Sequence, residues 1–80
     1  MATSYGNPRI ASLKHRSTPY RGEWNIHASH MQNSFTALHE VMQADGRPKV
    51  VEKIHLQSLT QAQTFTSYLI SHGWQRTWVL

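Results

Sequence analysis

The sequence predicts a two-layer α/β (α+β) sandwich, in which two helices pack on one face of a three- to four-stranded sheet. Two stretches place apolar residues at helical spacing, and each begins at a capping pattern and stops at a glycine. Stretches with an apolar period of two, typical of strands, precede, separate and follow them. The predicted order is therefore β-β-α-β-α-β. Because two helices cover a single face, the other face of the sheet is expected to be open.

Two strands are predicted before the first helix. Residues 9–14 combine three apolar side chains with the polar Ser12 and form a first, shorter candidate. Residues 22–29 alternate more regularly, and one face of this strand would carry its apolar side chains: Trp24, Ile26 and Ala28. That alternation is typical of a half-buried strand.

The first helix is predicted over residues 30–45. Ser29 and Gln32 have the spacing of a capping box, which satisfies the first backbone N–H groups of a helix. The apolar residues that follow are spaced by three or four positions: Met31, Phe35, Leu38 and Met42. Gly46 and Pro48 would then end the helix, Gly46 as its left-handed cap.

The second half of the chain repeats this pattern. Residues 49–56 are predicted to form a strand, and Ser58 and Gln61 repeat the capping box. The second helix would bury the stripe Ala62, Phe65 and Leu69, and it would end at Gly73. Residues 74–80 form the last predicted strand.

Charge divides the 80-residue chain into two parts. The first 22 residues contain four Arg or Lys and no acidic residue, whereas four basic and four acidic residues balance one another afterwards. We therefore expect residues 1–21 to form a basic, irregular N-terminal arm or an edge strand, and residues 22–80 to form a single compact domain.

The composition argues against several classes of protein. The chain has no Cys, so disulfide frameworks, thiolate nucleophiles and thiolate zinc sites are excluded. No apolar run approaches the roughly 20 residues that span a bilayer, and no apolar signal stretch begins the chain. We expect a cytoplasmic protein with no membrane association.

No motif predicts catalysis or a cofactor. The sequence has neither a nucleophile elbow nor a glycine-rich phosphate loop, so we expect a protein that is not an enzyme. Histidine is the usual metal ligand in a chain without Cys. A zinc ion joining His27, His55 and a third His is one interpretation, and surface or partly buried histidines are the other. We favour the second and expect no metal.

The preferred functional hypothesis is a small non-enzymatic protein-binding module. It would act as a regulator or inhibitor by occupying a surface of a larger assembly, including assemblies that handle nucleic acid, as phage and mobile-element products do. The polar face of the second helix carries no charge, and charged residues are depleted where proteins meet. The predicted partner surface is Gln61, Thr64 and Tyr68, with Tyr20.

The alternative hypothesis is nucleic-acid binding. Basic residues would contact phosphates or an acidic partner: Arg9, Lys14, Arg16, Arg21, Lys49, Lys53 and Arg76. Trp74, Arg76 and Trp78 alternate on the last strand and would either pack as core or form a platform that stacks bases. The protein would be a monomer, or a homodimer in which the last strand pairs with its copy.

Overall fold

The computed structural model describes residues 8–16, 22–31 and 33–79, except for the side chains of residues 78 and 79. In chain order the elements are β1 (Arg9–His15), β2 (Glu23–Ala28), β3 (Phe35–Met42), β4 (Pro48–Leu56), α1 (Leu59–Ser71) and β5 (Trp74–Val79). The fold is thus β-β-β-β-α-β.

The strands form one five-stranded sheet in the order β4-β3-β2-β1-β5, and every neighbouring pair is antiparallel. Strands β1 to β4 follow one another as hairpins. Strand β5 lies at the opposite edge from β4, so α1 carries the chain from one edge of the sheet to the other. Among the described residues, α1 is the one helix, and it lies over one face of the sheet.

The core lies between α1 and this face. Cross-strand pairing aligns residues in rows, and one row runs Arg76, Leu13, Trp24, His39, Glu52 from β5 to β4. The next row brings Ala11, Ile26, Ala37 and Ile54 together. Helix α1 buries Ala62, Thr66 and Leu69, spaced by four and three positions, against these rows. Small side chains such as Ala37 also belong to this core.

Helix α1 confirms the predicted second helix and both of its ends. The Ser58 side chain accepts a hydrogen bond from the Gln61 backbone N–H at 3.1 Å. The Gln61 Oε1 in turn accepts from the Gln57 N–H at 2.9 Å, so two N–H groups at the helix start are satisfied. The chain leaves the helix through Gly73, whose φ of +95° favours glycine.

The prediction of a first helix over residues 30–45, and with it the two-helix β-β-α-β-α-β fold, is wrong. This segment forms strand β3 and its two turns. Strand β3 is internal, and its first half is buried on both faces at Phe35, Thr36, Ala37 and Leu38. Burial on both faces removes the period of two that identifies a strand, and the remaining apolar spacing then resembles a helix.

The capping signals in this segment belong to turns. The Ser29 N–H donates to the Ser34 carbonyl, and the Ser29 hydroxyl accepts from the Ser34 N–H, which closes the β2–β3 turn. Gly46, with a φ of +85°, lies in the β3–β4 turn and donates its N–H to the Gln43 carbonyl. Asp45 accepts from the Arg47 N–H. An Asp-Gly pair between strands is a strong hairpin signal, and here it outweighs the helical spacing.

Residues 9–15 lie inside the sheet and not at its edge or in an arm. Strand β1 pairs with β2 on one side and with β5 on the other. Neighbouring residues Ser12 and Leu13, which point to opposite faces, are both buried. The short apolar pattern there therefore belongs to a central strand. Residues 1–7 and 17–21, the remainder of the expected basic arm except for Pro8 and Arg16, lie outside the described residues.

Candidate functional site

A groove of about 420 Å³ opens between helix α1 and the end of strand β4. Its lining comes from the last residue of the strand and from one flank of the helix: Leu56, Thr60, Gln61, Thr64, Phe65 and Tyr68. The helical members are separated by one, three or four positions, which places them together along one side of the helix. The groove is therefore a direct product of helix periodicity beside an edge strand.

The floor of the groove is continuous with the core. Leu56 is buried, and Phe65 is partly buried against the core. The Phe65 ring packs edge-on against Trp24, with 5.1 Å between ring centroids, so the core holds it in place. An apolar group entering this groove would meet a preformed surface.

The rim of the groove is uncharged, and the surface that its residues turn towards the groove is almost entirely apolar. Tyr68 is 55% exposed and stacks on Phe65 at 6.2 Å on one side and against His72 at 4.2 Å on the other. Thr60 and Thr64 are exposed residues that contribute to the lining. The Gln61 side chain is held by its bond to Gln57, so it lies in a defined position at the start of the helix. The hydroxyl and amide groups of these residues can form hydrogen bonds with a peptide backbone.

No charged side chain lies on helix α1, whose sequence is LTQAQTFTSYLIS. The residues that line the groove are likewise free of Lys, Arg, Asp and Glu. Leu59 and Ile70 are also exposed, at 55% and 44%. A solvated helix usually carries charged pairs, and contact surfaces are depleted in them. The helix surface therefore has the composition of an interface.

Next to the groove, the row that crosses the sheet ends in an acidic residue. The His39 ring stacks on Trp24 with 4.8 Å between centroids, and His39 Nδ1 lies 3.8 Å from Glu52 Oε1. Trp74 packs edge-on against both rings. The Glu52 side chain is 56% exposed, so its carboxylate is accessible beside β4.

The opposite face of the sheet carries a buried polar network centred on Asn25. Its Oδ1 accepts from the Ser12 hydroxyl at 2.7 Å and from Arg9 at 3.3 Å. Its Nδ2 donates to Glu40 at 2.7 Å and to Glu23 at 3.3 Å. Because both polar ends of the amide are satisfied, the network explains how these groups tolerate burial, and it is a structural feature.

Three of the four residues predicted as a protein-partner surface lie together in the groove: Gln61, Thr64 and Tyr68. The fourth, Tyr20, lies outside the described residues. Sequence reasoning did not place the floor residues in this surface, since Leu56 was predicted only as part of a strand and Phe65 as part of the buried stripe of the second helix. The missing signal is tertiary, because only the folded sheet places the end of β4 beside the helix.

The basic residues do not gather on one surface in the described part of the chain. Lys49 and Lys53 lie on β4, and Arg76 lies on β5 at the opposite edge, with four strand spacings or roughly 19 Å between them. Arg9 and Lys14 lie near the two ends of β1. Arg16 is exposed where β1 ends, and Arg21 lies outside the described residues.

The expected alternation of Trp74, Arg76 and Trp78 is interrupted. Strand β5 pairs Arg76 with Leu13 and Trp78 with Ser12, so its register shifts between these two positions. Trp74 is buried and packs in the core, as the core interpretation requires. The side chain of Trp78 lies outside the described residues.

The histidines considered as metal ligands are separated in the fold. His27 is buried, His55 is exposed, and Thr36 of β3 stands between them in their cross-strand row. Across residues 8–16, 22–31 and 33–79, no group of three His, Asp or Glu side chains is placed to hold a metal ion.

Comparison of the chain with protein-family models, curated proteins and solved structures finds no match. In the described part of the chain, no helix is both long and apolar enough to cross a bilayer.

Proposed function

We propose that this protein is a small non-enzymatic binding module that regulates or inhibits a larger protein assembly by docking the groove between α1 and β4 onto it. The observation that carries the proposal is the uncharged and almost wholly apolar lining of the groove, whose floor is held by the core. Such a surface suits an uncharged apolar side chain of a protein partner, flanked by its backbone.

The same observation favours a protein partner over nucleic acid. Phosphate binding depends on Lys and Arg, and the groove and helix α1 contain none. The described basic residues fall into three places: Arg47, Lys49 and Lys53 lie in or just before the edge strand β4, Arg76 lies in β5 at the opposite edge, and Arg9, Lys14 and Arg16 lie along or just after the internal strand β1. A single phosphate backbone would therefore have no continuous basic track among them.

Capture experiments with matched charge insertions test this proposal. Thr64→Arg places a cation in the groove, whereas Gln63→Arg places the same cation on an exposed position of α1 outside the groove lining. Neither residue takes part in the Ser58–Gln61 cap, so both variants should remain folded. Circular dichroism and thermal unfolding check this.

We expect a stoichiometric partner that the wild-type protein and Gln63→Arg both retain from cell extract and that Thr64→Arg loses. Tyr68→Ala should weaken retention of the same partner, because the ring forms one wall of the groove. Equal capture by all variants, or capture that disappears on addition of nuclease, would contradict a protein-docking groove.

A further inference from the structure

Strand β4 offers a second set of binding groups beside the groove. It is nine residues long and lies at an edge of the sheet, with β3 on its inner side. An edge strand presents backbone N–H and C=O groups that can pair with another strand. The groove and this edge meet at Leu56, the last residue of β4.

Pairing along β4 would align a partner with the rows that already cross the sheet. On the helix side, β4 presents Leu56, then Ile54, then Glu52. Leu56 lines the groove, Ile54 is partly buried against the core, and Glu52 carries the exposed carboxylate. A strand laid beside β4 would place every second side chain next to these three residues.

We propose that the occupant of the groove is an extended segment of the partner protein, added as a sixth strand to the carboxyl half of β4. Its side chains opposite Leu56 and Ile54 are apolar, and its side chain opposite Glu52 is Lys or Arg. This inference rests on the proposed docking function and names the conformation and chemistry of the partner.

Charge complementarity sets the pattern of the segment. On the helix side, Glu52 favours a basic neighbour, since opposite charges stabilise cross-strand pairs. On the other side, exposed Lys53 and His55 favour acidic or neutral neighbours. Followed from Leu56 towards Glu52, the occupant would therefore carry apolar residues opposite Leu56 and Ile54, acidic or neutral residues opposite His55 and Lys53, and a basic residue opposite Glu52.

A bulge limits pairing to one half of the strand. The register of β4 against β3 shifts at Val51, which lies between the partners of His39 and Glu40. Bulges twist an edge strand and hinder further pairing. Residues 52–56 keep a regular register, and they are the ones next to the groove.

Selection from a displayed library of random nine-residue peptides tests the inference. Peptides are selected on the wild-type protein, and those that also bind Thr64→Arg are discarded. We expect enriched sequences with apolar residues at alternate positions and a basic residue two positions further. Glu52→Gln should weaken these peptides by up to about fivefold, and Glu52→Lys should select an acidic residue at that position.

A second measurement, amide hydrogen exchange, tests backbone pairing along β4. Bound peptide should slow hydrogen exchange at alternate amides of residues 52–56, those directed away from β3, and leave the amides of β5 unchanged. A peptide with Pro at a pairing position should lose this protection, because Pro has no N–H to donate.

Several results would overturn the proposal. Enriched peptides with apolar residues spaced by three and four positions would mean that the groove binds a helix. No enrichment, or the same peptides on Glu52→Lys, would exclude pairing at β4. Self-association that Thr64→Arg abolishes would make the occupant a second copy. In each case, partner capture that depends on Thr64 can still hold, so failure of this inference is separable from failure of the docking function.

Discussion

At the scale of single residues, the structure separates two glycines that look equivalent in sequence. Gly22 and Gly46 both have positive φ, +81° and +85°. A Cβ on Gly22 would lie 2.1 Å from the Glu40 carbonyl oxygen, whereas a Cβ on Gly46 would meet nothing within 4 Å. The first glycine allows β2 to begin against β3, and the second supplies only a turn conformation.

We therefore predict that Gly22→Ala lowers the free energy of unfolding by about 3 kcal/mol or more, from backbone overlap and left-handed strain together. Gly46→Ala is the control and should cost about 1–2 kcal/mol, from strain alone. Urea titrations of both variants measure the difference. Equal losses would show that the close approach at Gly22 is relieved at little cost.

A second prediction concerns the buried amide of Asn25. Asn25→Asp replaces the Nδ2 donor, which serves Glu23 and Glu40, with an oxygen and so places a third carboxylate beside these two. We expect a loss of about 2–4 kcal/mol at neutral pH, since two acceptors lose their donor and like charges are brought together.

Asn33→Asp is the matched control. Asn33 is exposed and accepts a hydrogen bond from the Ser29 hydroxyl through Oδ1, which an aspartate can also do. Its free energy of unfolding should change by less than about 0.5 kcal/mol. If the two variants unfold at the same urea concentration, the Asn25 network contributes little to stability.

At the scale of elements, helix α1 depends on its cap. Ser58→Ala removes the acceptor for the Gln61 N–H and should cost about 1 kcal/mol. Ser71→Ala at the other end removes a bond to the Tyr68 carbonyl within the helix, where Ala has the better propensity, and should be close to neutral. Thermal unfolding should show a lower midpoint for Ser58→Ala than for Ser71→Ala, because only Ser58 caps the helix.

The elements show where sequence reasoning succeeds. Helix α1 is predictable because a local cap, an apolar stripe on one face and a terminal glycine agree. Strand β2 is predictable from its regular alternation, but the expectation of an open second face is wrong there, because its polar side chains Asn25 and His27 are buried as well. Strand β3 is not predictable, because Phe35 and Ala37 pack under the helix while Leu38 is buried on the other face. It is buried on both faces because it is internal to the sheet, and this position cannot be predicted from a local sequence pattern.

The candidate site divides in the same way. The uncharged helix flank is visible in the sequence, and it identifies Gln61, Thr64 and Tyr68. The floor is not, because apolar residues such as Leu56 and Phe65 are assigned to a core wherever they occur. Their placement beside an edge strand depends on α1 crossing the sheet from β4 to β5, a property of the whole chain.

At the scale of the whole molecule, the sheet pairs the first strand of the chain with the last. Strand β5 pairs with β1, so residues 74–79 form the edge strand next to residues 9–15. Trp24 of β2 and Trp74 of β5 meet with 6.4 Å between their rings, and Phe65 of α1 packs on Trp24. The same aromatic cluster therefore reports on the sheet, on its last strand and on the helix.

This arrangement predicts a single cooperative unfolding transition. Tryptophan fluorescence and far-UV circular dichroism should give the same urea midpoint, since the cluster cannot lose its packing while the sheet and helix persist. Phe35→Ala, which empties a buried site in β3, should cost about 3–5 kcal/mol and move both midpoints together. Phe65→Ala should cost less, because Phe65 is only partly buried. A fluorescence change that precedes the loss of circular dichroism would instead show that the aromatic cluster loses its packing while the secondary structure persists.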